Sequence, residues 1–305
     1  MGADQPFTLP EDGEHYARLV ITRCEDLART RIWSAIDTLR LRGWLTNFNT
    51  PLEIYFAACV LDRLIYRSPE QTHSLIRHLF QRTLPDAESA ISVRTAPDWQ
   101  AALKSQSDPG VRLVPVIRDD DPPTKSGPLV ARLMKRHLDL NDKWMIWPWQ
   151  IKRQRQRGIR TFIFIDDFLG TGDQFLKFSR QMRLPTALDG AVAIYTPLVA
   201  HANGVSTLRE HLPWIHCAAV ETLDESHGLF SPSHTHFAND GTNTPIAARE
   251  YYVKLMRSKR WEARCRWILG YGELGLTFAF AHATPNASLP ILWKRHRSRT
   301  PLFER

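Results

Sequence analysis

Cysteine is scarce and scattered in this 305-residue chain: Cys24, Cys59, Cys217 and Cys265 share no short spacing of the kind that builds a zinc site or a disulfide framework. Reduced, mostly buried thiols are expected. Glycine is sparse too, 15 residues against 20 prolines, which excludes collagen-like composition and predicts elements punctuated often by proline. No apolar run approaches the ~20 residues of a membrane helix, the stretch 274–281 being among the longest. The opening MGADQPFTLPEDGEHY carries acids where a secretory signal carries bases, with no apolar run behind them. Internal repeats are lacking. Together these absences predict a soluble, cytoplasmic protein with no membrane partner.

What is present is the make-up of an ordinary globular protein, 43% hydrophobic and 24% charged, long enough for one large domain or a core with an added module. The net charge of +8 is unevenly placed. Residues 249–305 hold 12 basic and 4 acidic side chains, so the rest of the chain balances, apart from a local run at Lys152-Arg153-Gln154-Arg155-Gln156-Arg157. Arg257, Lys259, Arg260, Arg264 and Arg266 lie close enough on one helical pattern to form a stripe. Such a stripe suits a polyanion such as nucleic acid, or is a solvated helix face.

Residues 1–98 read as a helical region. Tyr16, Leu19, Val20, Cys24 and Leu27 recur at helical spacing, and Thr50-Pro51-Leu52-Glu53 is a capping box with proline in the first turn, opening a helix to about Tyr66. Ser68-Pro69-Glu70-Gln71 repeats the device, and a short strand is predicted at 91–94. From residue 99 to 305 the period changes. Apolar, β-branched runs at 111–117, 161–166, 191–196 and 214–220 alternate with helical patterns at 129–138, 174–182 and 204–211. That alternation predicts an α/β domain with a mostly parallel sheet flanked by helices, and ligands at the carboxyl ends of its strands.

The stretch 161–175, TFIFIDDFLGTGDQF, is the most informative. Four apolar residues describe a strand buried on both faces, and the two carboxylates that follow must meet solvent, a cation or sugar hydroxyls. Gly170-Thr171-Gly172 then turns into a helix, exposing N–H groups at the positive end of its dipole, a cradle for phosphate. Carboxylates for a diol and amides for a phosphate make a sugar-phosphate site. The stretch resembles the phosphoribosyl-diphosphate (PRPP) motif of type I phosphoribosyltransferases. The resemblance implies that Asp166 and Asp167 hold the ribose hydroxyls, directly or through Mg²⁺, and that Leu169, Gly170, Thr171, Gly172, Asp173 and Gln174 wrap the 5-phosphate. Three positions depart from the motif: Gly170 replaces an acid, Asp173 a small residue and Gln174 a hydroxyl residue.

After the run 111–117, Ser126-Gly127 with Pro128 in the first helical turn would offer amides to a diphosphate, with Lys125 and Arg132 as counter-charges, or form a surface loop. Trp144, Trp147 and Trp149, where the transferases carry a lid, are expected in the core. His234-Thr235-His236 lacks an evident third metal ligand. Trp44-Leu45-Thr46-Asn47-Phe48, the Ser126 and Asp166 segments, Thr284-Pro285-Asn286 with Leu289-Pro290-Ile291-Leu292-Trp293, and the ending Pro301-Leu302-Phe303-Glu304-Arg305 together resemble the phosphoribosyltransferase-like proteins of bacterial conflict systems. This implies an anti-phage effector that binds PRPP or a nucleotide, with Asn286 as a further ligand contact, and either transfers ribose phosphate to or from a base or senses its ligand without turnover. It also implies a nucleic-acid or defence-complex partner for the basic C-terminal part.

Overall fold

The computed structural model describes residues 6–90, 98–233, 235–238, 240–261 and 267–304. The strand expected at 91–94 and the residues His234, Cys265, Arg264 and Arg266 lie outside them. Among the described residues no helix is long and apolar enough to cross a membrane. Cys24 and Cys59 are buried free thiols and Cys217 is half-buried; burial pushes Cys24 up to about 11 and Cys217 up to about 12. Seven strands are described, in chain order β1 (Ile65–Arg67), β2 (Val111–Pro115), β3 (Thr161–Leu169), β4 (Val192–His201), β5 (Ile215–Cys217), β6 (Glu221–Leu223) and β7 (Phe278–Phe280).

The chain divides into two compact units, Met1–Glu70 with Asp224–Arg305, and Gln71–Leu223. A boundary at 98 was expected from the change of period, and the structure divides elsewhere. The first helices do not form a region of their own, because their apolar faces are completed by the C-terminal segment. In this terminal unit the helix Pro51–Asp62 buries seven consecutive residues from Tyr55 to Leu61. Thr50 Oγ1 accepts from Glu53 N at 3.2 Å to cap its start, with Pro51 in the first turn. The helix stops at Asp62, and the residues expected to continue it form β1, which pairs in parallel with β7, Tyr66 opposite Ala279. Trp44 Nε1 donates to Ile291 O at 2.9 Å, and Asn47 exchanges hydrogen bonds with Thr300 in both directions.

The expected basic stripe is broken in the same unit. Its helix, Pro245–Ser258, ends before Lys259. Lys259 Nζ is bound to Glu53 Oε2 and to Asn47 O, both at 2.7 Å, so this cation is a structural tie and not a free charge. Arg260 follows with φ +57°.

The other unit is a five-stranded, wholly parallel sheet in the order β2-β3-β4-β5, with β6 pairing β4 further along. Successive side chains of a strand face opposite ways, and β3 is apolar on both sides. Phe162 and Phe164 pack with Phe175, Phe178, Tyr195 and Leu208. Ile163 and Ile165 pack with Ile76, Leu84, Val130 and Met134 on the opposite face. The mostly parallel sheet flanked by helices is therefore as the sequence predicts. Two strands are longer than predicted: β3 runs to Leu169 and β4 to His201, because the two continue side by side, Leu169 opposite Ala200. The backbone of both aspartates stays in the sheet, where a departure after residue 166 was expected.

Candidate functional site

The carboxyl end of β3 outlasts β2, whose last registered pair is Pro115 with Ile165. Asp166 and Asp167 occupy that overhang and are 2% and 6% exposed. Two adjacent carboxyls this deep are costly to ionise together. Burial first, and the neighbouring Asp167 second, hold the Asp166 carboxyl well above the usual carboxylate range. Its Oδ1 accepts from Ser126 Oγ at 3.0 Å and from Asp167 N at 3.0 Å. Tyr195, opposite Phe164 in the register and 1% exposed, brings its phenol to Asp166 as well; burial first, then the neighbouring Asp166 carboxyl, hold that phenol well above its ordinary value.

Ser126 reaches Asp166 because of the glycine beside it. The helix Ser126–Leu138 starts so close to the end of β2 that a Cβ on Gly127 would lie 2.7 Å from Val116 O. Only glycine permits this approach. Arg132, six residues on, is ~9 Å along the axis and ~120° round from Ser126; it is exposed, so the helix does not bring it to the carboxyl pair. Lys125 is 3.7 Å from Asp121 Oδ1, and Arg118 grips the same carboxylate at 2.7 Å. Burial alone would raise the Asp121 carboxyl, and the Arg118 guanidinium, the Arg118 backbone N–H and Lys125 together outweigh it, leaving it below its ordinary value.

After β3 the chain turns through Gly170, Thr171 and Gly172 into the helix Asp173–Gln181, with Gly172 at φ +93°. The turn is buttressed from the helix Ala202–His211. A Cβ on Gly204 would lie 2.2 Å from Gly170 O, and one on Gly172 would lie 3.0 Å from Thr207 Cγ2. Leu169 is buried, Thr171 half-buried and Gln174 exposed. Thr171 Oγ1 donates to Asp173 Oδ2 at 3.1 Å and accepts from Asp173 N at 3.4 Å. The Asp173 carboxylate thus lies against the turn at the start of its helix.

The carboxyl pair, the amide turn and Ser126 are brought together within one unit; Asn286 is built into the other. Asn286 O accepts from Tyr271 N at 2.8 Å. Its Oδ1, like Thr284 Oγ1, is buried with no hydrogen-bond partner among the described residues. Tyr195, Gly204 and Thr207 had no sequence signal, since their roles depend on strand register and helix contact. Among the described residues no cluster of three or more His, Cys, Asp or Glu side chains could hold a metal. Two carboxylates alone fit a Mg²⁺ that takes its other ligands from water and phosphate oxygens, and do not fit a closed protein cage.

The PRTase-CE family model matches residues 41–305. The chain belongs to the PRTase-CE family. The Asp166-Asp167 overhang, the Gly170–Gly172 turn and Asn286 all fall inside that match, so the phosphoribosyltransferase-like fold implied by the motif rests on family membership as well as on the parallel sheet. No curated protein matches this PRTase-CE chain. Among solved structures it is similar to orotate phosphoribosyltransferase from Aeropyrum pernix, at 16% identity and a TM-score of 0.23, over 47% of this chain and 77% of that one.

Proposed function

We propose that the site at the end of β3 binds a phosphoribosyl compound, PRPP or a nucleotide, and exchanges its C1 substituent with a nitrogenous base. The observation that carries this reading is the buried Asp166–Asp167 pair followed at once by an amide turn that glycine packing holds in place. The Asp166 carboxyl, which burial and the neighbouring Asp167 hold well above the usual carboxylate range, and Asp167 beside it offer paired oxygens to a diol. The N–H groups of residues 170–173 face the 5-phosphate at a helix start.

In the transfer, a base nitrogen bonds to C1 as the C1–O bond breaks, and that electron pair leaves with diphosphate. No protein nucleophile is required; the chain's part is to hold the ribose and exclude water. Mg²⁺, held by Asp166 and Asp167 when bound with the diphosphate, would neutralise charge on the leaving group. A role as an effector in anti-phage defence belongs to the same proposal and rests on the motif resemblance.

A second reading, binding without turnover, is favoured by Asp173. Its carboxylate engages Thr171 and repels a phosphate dianion at the helix start. Calorimetry of PRPP and common nucleotides, with and without Mg²⁺, tests both readings. Saturable binding that tightens about tenfold in Asp173→Ser is expected, as removal of one like charge allows. Diphosphate release that disappears in Asp167→Asn selects transfer; binding without release selects sensing; no binding of any phosphoribosyl compound rejects both.

A further inference from the structure

Three tryptophans of the sheet-bearing unit lie outside its core, Trp214 and the neighbours Trp147 and Trp149. Leu113 and Met145 form an isolated parallel bridge, and Ile146 N donates to Leu113 O at 2.9 Å, so the chain after Trp144 runs briefly as an extra edge beside β2. Trp144 is buried as expected, whereas Trp147 and Trp149 are 43% and 51% exposed. Their rings stack on each other, centroids 5.2 Å apart and planes 8° from parallel. The turn that carries them is fixed. Gln150 Oε1 accepts from Trp147 N, and Gln150 N donates to Trp147 O, both at 2.9 Å, while Pro148 between the two indoles is buried. A rigid aromatic pair left half in water is a surface prepared for a flat, apolar partner.

The next turn of chain supplies the charge of that partner. Lys152, Arg153 and Arg157, on and just after the helix Ile151–Gln156, are exposed and make no ion pair among the described residues. Arg155 differs, being tied to Asp189 and to Leu188 O. No acidic residue occurs between Lys143 and Ile165. Uncompensated cations three to eight residues from open π-faces match a chain that alternates bases with phosphates and whose bases are free to stack. We propose that Trp147, Trp149, Lys152, Arg153 and Arg157 form a docking surface for single-stranded nucleic acid. A duplex meets the cations but hides its base faces; an acidic peptide meets the cations but leaves the indoles unused. The inference does not depend on the chemistry proposed at Asp166.

Full-length protein titrated with labelled oligothymidylate and with a duplex of the same length, at about 50 mM and about 200 mM salt, tests it. Oligothymidylate should bind and quench tryptophan fluorescence. Each of Trp147→Ala and Trp149→Ala should weaken it roughly 5- to 150-fold, with phenylalanine at either position restoring most of the affinity, while leaving duplex binding unchanged. The triple change Lys152→Gln, Arg153→Gln, Arg157→Gln should flatten the slope of log K against log salt by about 2, at ~0.7 per phosphate contact. No binding at the lower salt, binding indifferent to both alanine variants, or a duplex that binds as tightly with the same tryptophan dependence overturns it. Both indoles are exposed, so a melting curve like that of the parent protein certifies that each variant is folded.

Discussion

Replacing Asp166 by asparagine is expected to make the protein more heat-stable at neutral pH while removing its binding of phosphoribosyl ligands. The folded chain holds the Asp166 carboxyl well above the ordinary carboxylate range, through burial first and the Asp167 charge second. It therefore keeps a proton that the unfolded chain releases near pH ~4. Where the folded state binds more protons than the unfolded state, stability falls as pH rises. The contribution of Asp166 is accordingly intact below about pH 4 and is lost as pH climbs towards the raised folded value. Asparagine keeps the Oδ1 acceptor that Ser126 and Asp167 N use and cannot ionise. The melting temperature of Asp166→Asn should match the parent near pH ~4 and exceed it near pH ~7, by roughly 2–4 °C for each kcal/mol recovered. Calorimetry should show ligand affinity down roughly 5- to 100-fold, the loss of one or two hydrogen bonds to the ligand. A variant that melts below its parent at neutral pH contradicts the account of Asp166 as a group retained for function at the expense of stability.

The second large effect is expected at Gly204, far in sequence from any residue of the motif. An added methyl would lie 2.2 Å from Gly170 O and 2.9 Å from Leu169 Cγ, and the first of these is backbone that cannot swing aside. Gly204→Ala must push either its helix or the 170–172 turn outward. Overpacking of this kind costs about 1–3 kcal/mol, and a displaced turn no longer presents its amides to one point. The melting temperature should drop by several degrees, and PRPP binding should weaken by more than the stability loss explains, because the fraction still folded carries a misplaced cradle. Gly241, where an added Cβ meets nothing within 4 Å, is the control and should be silent as alanine. If Gly204→Ala melts and binds like the parent, the buttress has no role in shaping the turn.

By itself the sequence determined what is encoded within a few residues of itself. The cores of β2, β3 and β4 are legible as the apolar runs 111–117, 161–166 and 191–196, because both faces of a parallel sheet are buried. The cap at Thr50-Pro51 and the passage from Asp166 through Gly172 are legible because capping, turning and carboxylate chemistry are local. Tertiary structure decided everything that depends on which segments meet. The terminal helices share a core with the last third of the chain, since a helix buried all round, such as Pro51–Asp62, needs partners that its own sequence does not name. β4 running on beside β3 keeps both aspartates in the sheet and sets Tyr195 against Asp166, and a register is invisible in either strand alone. Lys259 became a tie to Glu53 where composition suggested a free charge, and two of three tryptophans came to the surface where hydrophobicity predicted the core. Hydrophobicity states what would be favourable to bury; the number and shape of the neighbours that actually arrive decide what is buried.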